Sequence, residues 1–202
     1  MQLRTAVAAL LGAVALGTAG PCAAQAGFTL YGGYRGGGSF LTDSAPSQTL
    51  SLRSGAAGSV ALDLAVDPVR QVQLFASYQS TDIDASPGTP QLPLTVSYLH
   101  LGGTNYFEGA IGRGAYVVGG LGATRLAPGL SGLSAEVFPS LNLGLGYQWP
   151  IAGPVSLRME LRGYYTLVNS SSRLFCSGGC LVAIKGDGFT QVEGLLGLNL
   201  AF

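Results

Sequence analysis

Ser140-Leu-Asn-Leu-Gly-Leu-Gly-Tyr-Gln-Trp149 and, after Pro150 to Pro154, Val155-Ser-Leu-Arg-Met-Glu-Leu-Arg162 decide the fold. In the first stretch Leu141, Leu143, Leu145, Tyr147 and Trp149 alternate with Ser140, Asn142, Gly144, Gly146 and Gln148. In the second, Val155, Leu157, Met159 and Leu161 alternate with Ser156, Arg158, Glu160 and Arg162. Period two belongs to an extended strand, whose successive side chains point to opposite faces. Each stretch therefore has one apolar face and one polar face.

The chain end repeats the pattern, with Leu196, Leu198, Leu200 and Phe202 set against Gly197, Asn199 and Ala201. Upstream, Phe28–Arg35, Gly58–Val66, Gln71–Gln79, Leu94–Tyr106 and Ala115–Arg125 follow it less cleanly, which makes eight segments. The facing of Leu94–Tyr106 stays open: Leu94, Val96 and Tyr98 share one face, while Leu99 and Leu101 take the other. Breaks fall at Asp43-Ser-Ala-Pro46, Asp67-Pro68, Ser86 to Pro90, Pro128-Gly129, Pro150 to Pro154 and Ser170 to Gly188.

Face polarity separates a soluble sandwich from a membrane barrel. A sandwich turns its apolar faces inward and meets water with a charged face. This chain of 202 residues has 10 basic and 10 acidic side chains, one His and 32 Gly, with 48% apolar residues, and its one Lys is Lys185. That is too little charge for an ordinary soluble surface. With no basic cluster, the chain also lacks the electrostatic footprint of a nucleic-acid binder. A closed barrel resolves the pattern, because lipid meets the apolar face and polar groups line the interior. The reading is all-β: an eight-stranded antiparallel up-and-down transmembrane β-barrel. Connections alternate short and long, as periplasmic turns and outer loops do. Aromatics mark the rims, with Tyr106, Phe107, Tyr116, Tyr147, Trp149 and Phe202 expected at the periplasmic side. Tyr34, Tyr78, Phe138, Tyr165 and Phe189 are expected at the outer side.

Arg4, the apolar run Thr5 to Gly20 and Ala24-Gln25-Ala26 form the three parts of a secretory signal peptide. The expected division is a cleaved segment 1–26 and a barrel domain 27–202. Cleavage leaves two cysteines, Cys176 and Cys180, whose spacing in an exported chain points to a local disulfide. One distant His makes a zinc site a poor fit. No metal or other cofactor is expected.

Gly194-Leu-Leu-Gly-Leu-Asn-Leu-Ala-Phe202 resembles the C-terminal signal by which bacterial outer-membrane barrels reach their assembly machinery. Tyr31-Gly-Gly-Tyr-Arg-Gly-Gly-Gly-Ser-Phe40, Gly119 to Arg125, Glu160 to Tyr165 and Leu174 to Cys180 resemble small proteobacterial outer-membrane β-barrel proteins. The resemblance spans 27–202 and implies a barrel of the OmpA, OmpX and OmpW kind in the outer membrane. It implies lipid and lipopolysaccharide around the barrel and assembly through the strand ending at Phe202. It carries over no catalytic residue. A monomer is expected.

By parity, Arg35, Arg53, Asp63, Arg158, Glu160, Arg162 and Glu193 point inward, with Arg53 near or above the membrane edge. Gln71, Gln73, Gln79, Gln191 and Asn199 join them. Mixed signs in a narrow interior predict mutual pairing, with Glu193 anchoring Arg162 and Arg35. An eight-stranded barrel has room only for side chains or one small ligand. Three functions follow: a plugged structural or surface-interaction barrel, a narrow conduit for small solutes or hydrophobic molecules, and a lipid-modifying enzyme using His100. The first is favoured. Ser97 and Glu108 lie near His100 in sequence, but a triad is a matter of geometry.

Overall fold

The computed structural model describes residues 25–42, 49–84, 92–107, 110–129, 134–168, 173–176, 180–185 and 188–202. Strands occupy β1 (Ala26–Gly37), β2 (Ser39–Thr42), β3 (Thr49–Leu52), β4 (Gly55–Ala65), β5 (Arg70–Asp84) and β6 (Leu92–Tyr106). They continue with β7 (Gly114–Pro128), β8 (Glu136–Ala152), β9 (Val155–Thr166), β10 (Arg173–Cys176), β11 (Cys180–Lys185) and β12 (Phe189–Ala201). The strands β1, β4, β5, β6, β7, β8, β9 and β12 pair antiparallel in that order, and β12 returns to β1. The sheet closes, so the wall has no open edge.

The start of β1 and Phe202 lie at one end of the barrel, where the strands joined through 66–69, 107–113 and 153–154 also meet. The strands joined through 38–54, 85–91, 129–135 and 167–188 meet at the other end. The expected asymmetry is present, though three of these links are similar in length. It rests on the tight 153–154 turn against the two long crossovers. Those crossovers, turn-rich in sequence, contain strands. β2 pairs with β3, β3 continues onto β5, and β11 pairs with both β2 and β10. The sheet thus runs on past the barrel rim, and Cys176 lies opposite Cys180 in the β10–β11 register. Whether the two sulfurs join lies outside the described side chains. The Pro150 break is also corrected: β8 runs on to Ala152 through a bulge, and the chain turns at Gly153, where φ is +52°.

The barrel is inside-out relative to a soluble fold. Leu30, Leu62, Leu101, Leu121, Leu143, Leu161 and Leu198 are exposed on the outer face, Leu121 at 70%. Arg35, Arg162 and Glu193 are each at 0% in the interior. Such a surface suits hydrocarbon, where apolar side chains need no burial and every strand amide already has a partner.

Glycine at inward positions lets the wall bend. A Cβ on Gly102 would fall on the Gly119 carbonyl oxygen and the Gly120 Cα of the neighbouring strand. Gly102 lies opposite Gly120, and Gly103 opposite Gly119, so β6 and β7 meet there without side chains. Outward-facing Gly32, Gly58 and Gly194 have open space instead.

The 66–69 turn is held by Asp67. Its Oδ1 accepts from the amides of Val69 (3.0 Å) and Arg70 (2.8 Å), and Oδ2 accepts from Arg70 Nε (2.6 Å). The Val69 amide, reinforced by Arg70, holds the Asp67 carboxyl below its ordinary value against a smaller opposing effect of burial. A depressed carboxylate adds stability above its unfolded value of about 3.9, and loses it as pH falls through the lower folded value. Titration of this carboxyl by NMR in micelles is expected to give a midpoint below about 3.9. A midpoint at or above that value would contradict the turn geometry.

Candidate functional site

The interior is built in tiers along β9, which points Arg158, Glu160, Arg162 and Tyr164 inward at alternate positions. Nearest the termini, Arg158 Nη1 binds Asp63 Oδ2 at 2.6 Å and Thr29 Oγ1 at 3.0 Å, while Nη2 donates to the Tyr106 hydroxyl at 3.1 Å. The Tyr106 hydroxyl donates to Gln148, which donates to Ser156 and Asn199. This tier closes the barrel floor.

In the middle tier Glu160 Oε2 accepts from Arg162 Nη2 at 2.5 Å and Nε at 3.2 Å. Its Oε1 accepts from the hydroxyls of Tyr31 (2.5 Å) and Tyr116 (2.6 Å). Gln73 joins the two tiers, donating to Asp63 at 2.8 Å and accepting from Arg162 at 3.1 Å. Gly197 and Gly146 make room for the two tyrosines, because a Cβ at either position would meet the Tyr31 or Tyr116 ring.

In the third tier Glu193 Oε2 accepts from Arg35 Nη2 (2.8 Å), Arg35 Nε (3.1 Å) and the Tyr164 hydroxyl (2.6 Å). The Arg35 guanidinium also donates to Ser77 and lies over the stacked rings of Tyr98 and Tyr164. Arg162 lies 3.7 Å from the Phe75 ring centroid, and Arg158 lies 5.0 Å from that of Tyr116. Three guanidiniums meet three carboxylates, all buried. A buried ion pair repays its desolvation only with good geometry and added hydrogen bonds; each carboxylate here accepts further bonds, while Arg35 Nη1, Arg158 Nε and Arg162 Nη1 are buried without a hydrogen-bond partner among the described residues.

Above these tiers the interior turns apolar, with Leu52, Ile83, Leu94, Val96, Leu126, Phe138, Val168 and Phe189 all buried. This settles β6: Leu94, Val96, Tyr98 and His100 face inward, and Leu99 and Leu101 face out.

The charged residues expected inside are placed as follows, and one pairing differs from the expectation. Arg35, Asp63, Arg158, Glu160, Arg162 and Glu193 all reach the interior, as do Gln71, Gln73, Gln79, Gln191 and Asn199. Arg162 lies opposite Glu193 in register, yet it pairs with Glu160. Arg35 is also opposite Glu193, across the closing seam, and together with Tyr164 it occupies that carboxylate. Arg53 is exposed at the far rim rather than inside. Four rim aromatics are corrected as well: Tyr106, Tyr116, Phe138 and Phe189 are buried inside. Parity could have placed Phe138 with Ser140 and Asn142, and Phe189 with Gln191 and Glu193. The tyrosines that cross-brace the carboxylates carried no sequence signal beyond that parity.

His100 is buried inside, stacked near Tyr98, with Nε2 2.9 Å from Ser140 Oγ. Ser97 has the opposite parity and does not meet it, and Glu108 lies outside the described residues. Among the described residues no carboxylate approaches His100, whose Nδ1 has no hydrogen-bond partner. A cavity of about 590 Å³ opens at the terminal end, lined by Gln71, Gln148, Ser156, Arg158 and Asn199 among others. It ends on the Arg158 floor.

No protein-family model matches the chain, and no curated protein matches it in sequence. Solved structures do. Neisserial surface protein A superposes with a TM-score of 0.58 at 13% identity, covering 88% of this chain and 97% of the other. The outer membrane protein OprG from Pseudomonas aeruginosa gives 0.59 at 13% identity, covering 89% and 96%. The outer membrane protein AlkL, solved in lipid bilayers, gives 0.55 at 12% identity, covering 93% and 94%. All three likenesses are to the barrel fold.

Proposed function

We propose that the chain is an integral protein of the bacterial outer membrane whose interior is sealed, with a structural or surface-interaction role. The observation that carries this is the cross-linked interior. Three neutralised ion pairs, braced by Tyr31, Tyr106, Tyr116 and Tyr164, span the space a solute would need. The apolar belt, the shared end for Phe202 and the short turns, and the likeness to outer-membrane barrels support the location. On this reading the terminal end faces the periplasm and β2, β3, β10 and β11 extend the sheet outside the cell. Membrane lipid and lipopolysaccharide surround the belt. The assembly machinery reads β12, whose outward Leu198, Leu200 and Phe202 are exposed.

The chain is read as non-enzymatic. His100 and Ser140 meet inside the wall, away from the lipid they would have to act on. The conduit reading draws on the apolar upper interior and the terminal-end cavity, but the ion-pair tiers lie between them.

Protease shaving of intact cells tests the orientation. Added trypsin is expected to cut in the segment 169–187, which holds Arg173 and Lys185, and to leave the barrel strands intact in the outer-membrane fraction. Recovery of an uncut chain from intact cells, with cutting at Arg70 or Arg113 only after lysis, would contradict surface display of that segment.

A further inference from the structure

We infer that the leader is cut between Ala24 and Gln25, not after Ala26, and that the new N-terminal Gln25 closes to a pyroglutamyl ring. Signal peptidase needs small residues at the first and third positions before the cut. Two overlapping frames meet that need with Ala at the cut: Ala24 with Ala26, and Cys22 with Ala24. Only the second keeps both residues that the folded barrel engages. The Ala26 amide donates to the Phe202 carbonyl at 2.9 Å, and the Phe202 amide donates back to the Ala26 carbonyl at 2.8 Å. On the other side, the Ala65 amide donates to the Gln25 carbonyl at 2.9 Å. Ala26 therefore clamps the seam where the first strand meets the last, and Gln25 ties the start of β1 to the end of β4. A cut after Ala26 removes both backbone partners of Phe202 and the acceptor of Ala65.

Among the described residues the clamp engages the carbonyl of Gln25 and not its nitrogen. Once exposed by cleavage, the α-amino nitrogen attacks Cδ of its own side chain. A bond from that nitrogen to Cδ forms, the Cδ–Nε2 bond breaks, and ammonia leaves with a proton from the attacking amine. No oxidant or co-reactant is involved. The main-chain carbonyl survives, so the bond from Ala65 is kept.

This inference rests on export to the outer membrane. The full chain, 1–202, expressed in a Gram-negative host and purified from outer membranes, is tested by intact mass and N-terminal sequencing. After reduction, the expected mass is that of 25–202 less one ammonia. Sequencing should be blocked until a pyroglutamyl aminopeptidase is added, and should then read Ala26-Gly27-Phe28. A start at Gly27 would overturn the cut site, and an unblocked Gln25 would overturn ring closure. A full-length chain held outside the outer membrane would overturn export itself. Ala26→Leu, next to Leu64 on the outward parity of β1, spoils only the frame ending at Ala26. It is expected to leave processing unchanged, and accumulation of precursor would contradict the proposed cut.

Discussion

Glu160→Ala is expected to lower the unfolding free energy by about 3–5 kcal/mol, the cost of leaving a buried charge without its partner. Arg162 loses the carboxylate that binds its Nε and Nη2, and the hydroxyls of Tyr31 and Tyr116 lose their acceptor. Arg162 has little else to turn to, since Gln73 offers one neutral oxygen and Glu193 is already taken by Arg35 and Tyr164. Urea unfolding in detergent, followed by the fluorescence of Trp149, the only tryptophan, reads the change. The double replacement Glu160→Leu with Arg162→Met should recover much of the loss, because it leaves no orphaned charge. A Glu160→Ala midpoint equal to that of the parent would mean that water fills the middle tier.

Gly102→Ala carries the second large effect, from the wall rather than the interior. The added methyl meets the Gly119 carbonyl and Gly120 Cα, which are backbone atoms that cannot swing aside as a side chain would. β7 must move away, and a loss of about 3 kcal/mol is expected, the upper part of the usual range for overpacking. Gly32→Ala places the same methyl in open space on the outer face. Its effect should stay within about 0.5 kcal/mol, as for ordinary surface substitutions. Equal urea midpoints for the two variants would refute the close approach of β6 and β7.

The wall was legible because one face of each strand is apolar, and a one-residue slip would exchange the faces. Leu141 to Trp149 and Val155 to Arg162 led directly to β8 and β9. The charged interior followed from the same parity. Pairing inside was harder to read, because register sets which residues are neighbours but not which partner a long side chain chooses. Glu193 has an arginine opposite it on both sides, Arg35 on β1 and Arg162 on β9, and a single carboxylate cannot serve both equally. Arg162 folds back on Glu160 of its own strand instead. The interior Leu94 and Val96 were not assignable either, since an apolar upper interior makes both faces of β6 apolar. β2, β3, β10 and β11 are short pieces in Gly-, Ser- and Pro-rich stretches. They are extended by pairing with one another, and their own sequences show no sustained alternation.

The sealed interior is tested most directly by conductance across a planar lipid bilayer containing the refolded barrel. The ion-paired tiers from Arg158 to Glu193 cross the interior, so the parent protein is expected to give a silent bilayer. Glu160→Ala, which opens the middle tier, should give at most brief, irregular events. Stable unitary conductance steps from the parent protein would contradict the sealed barrel and make it a channel.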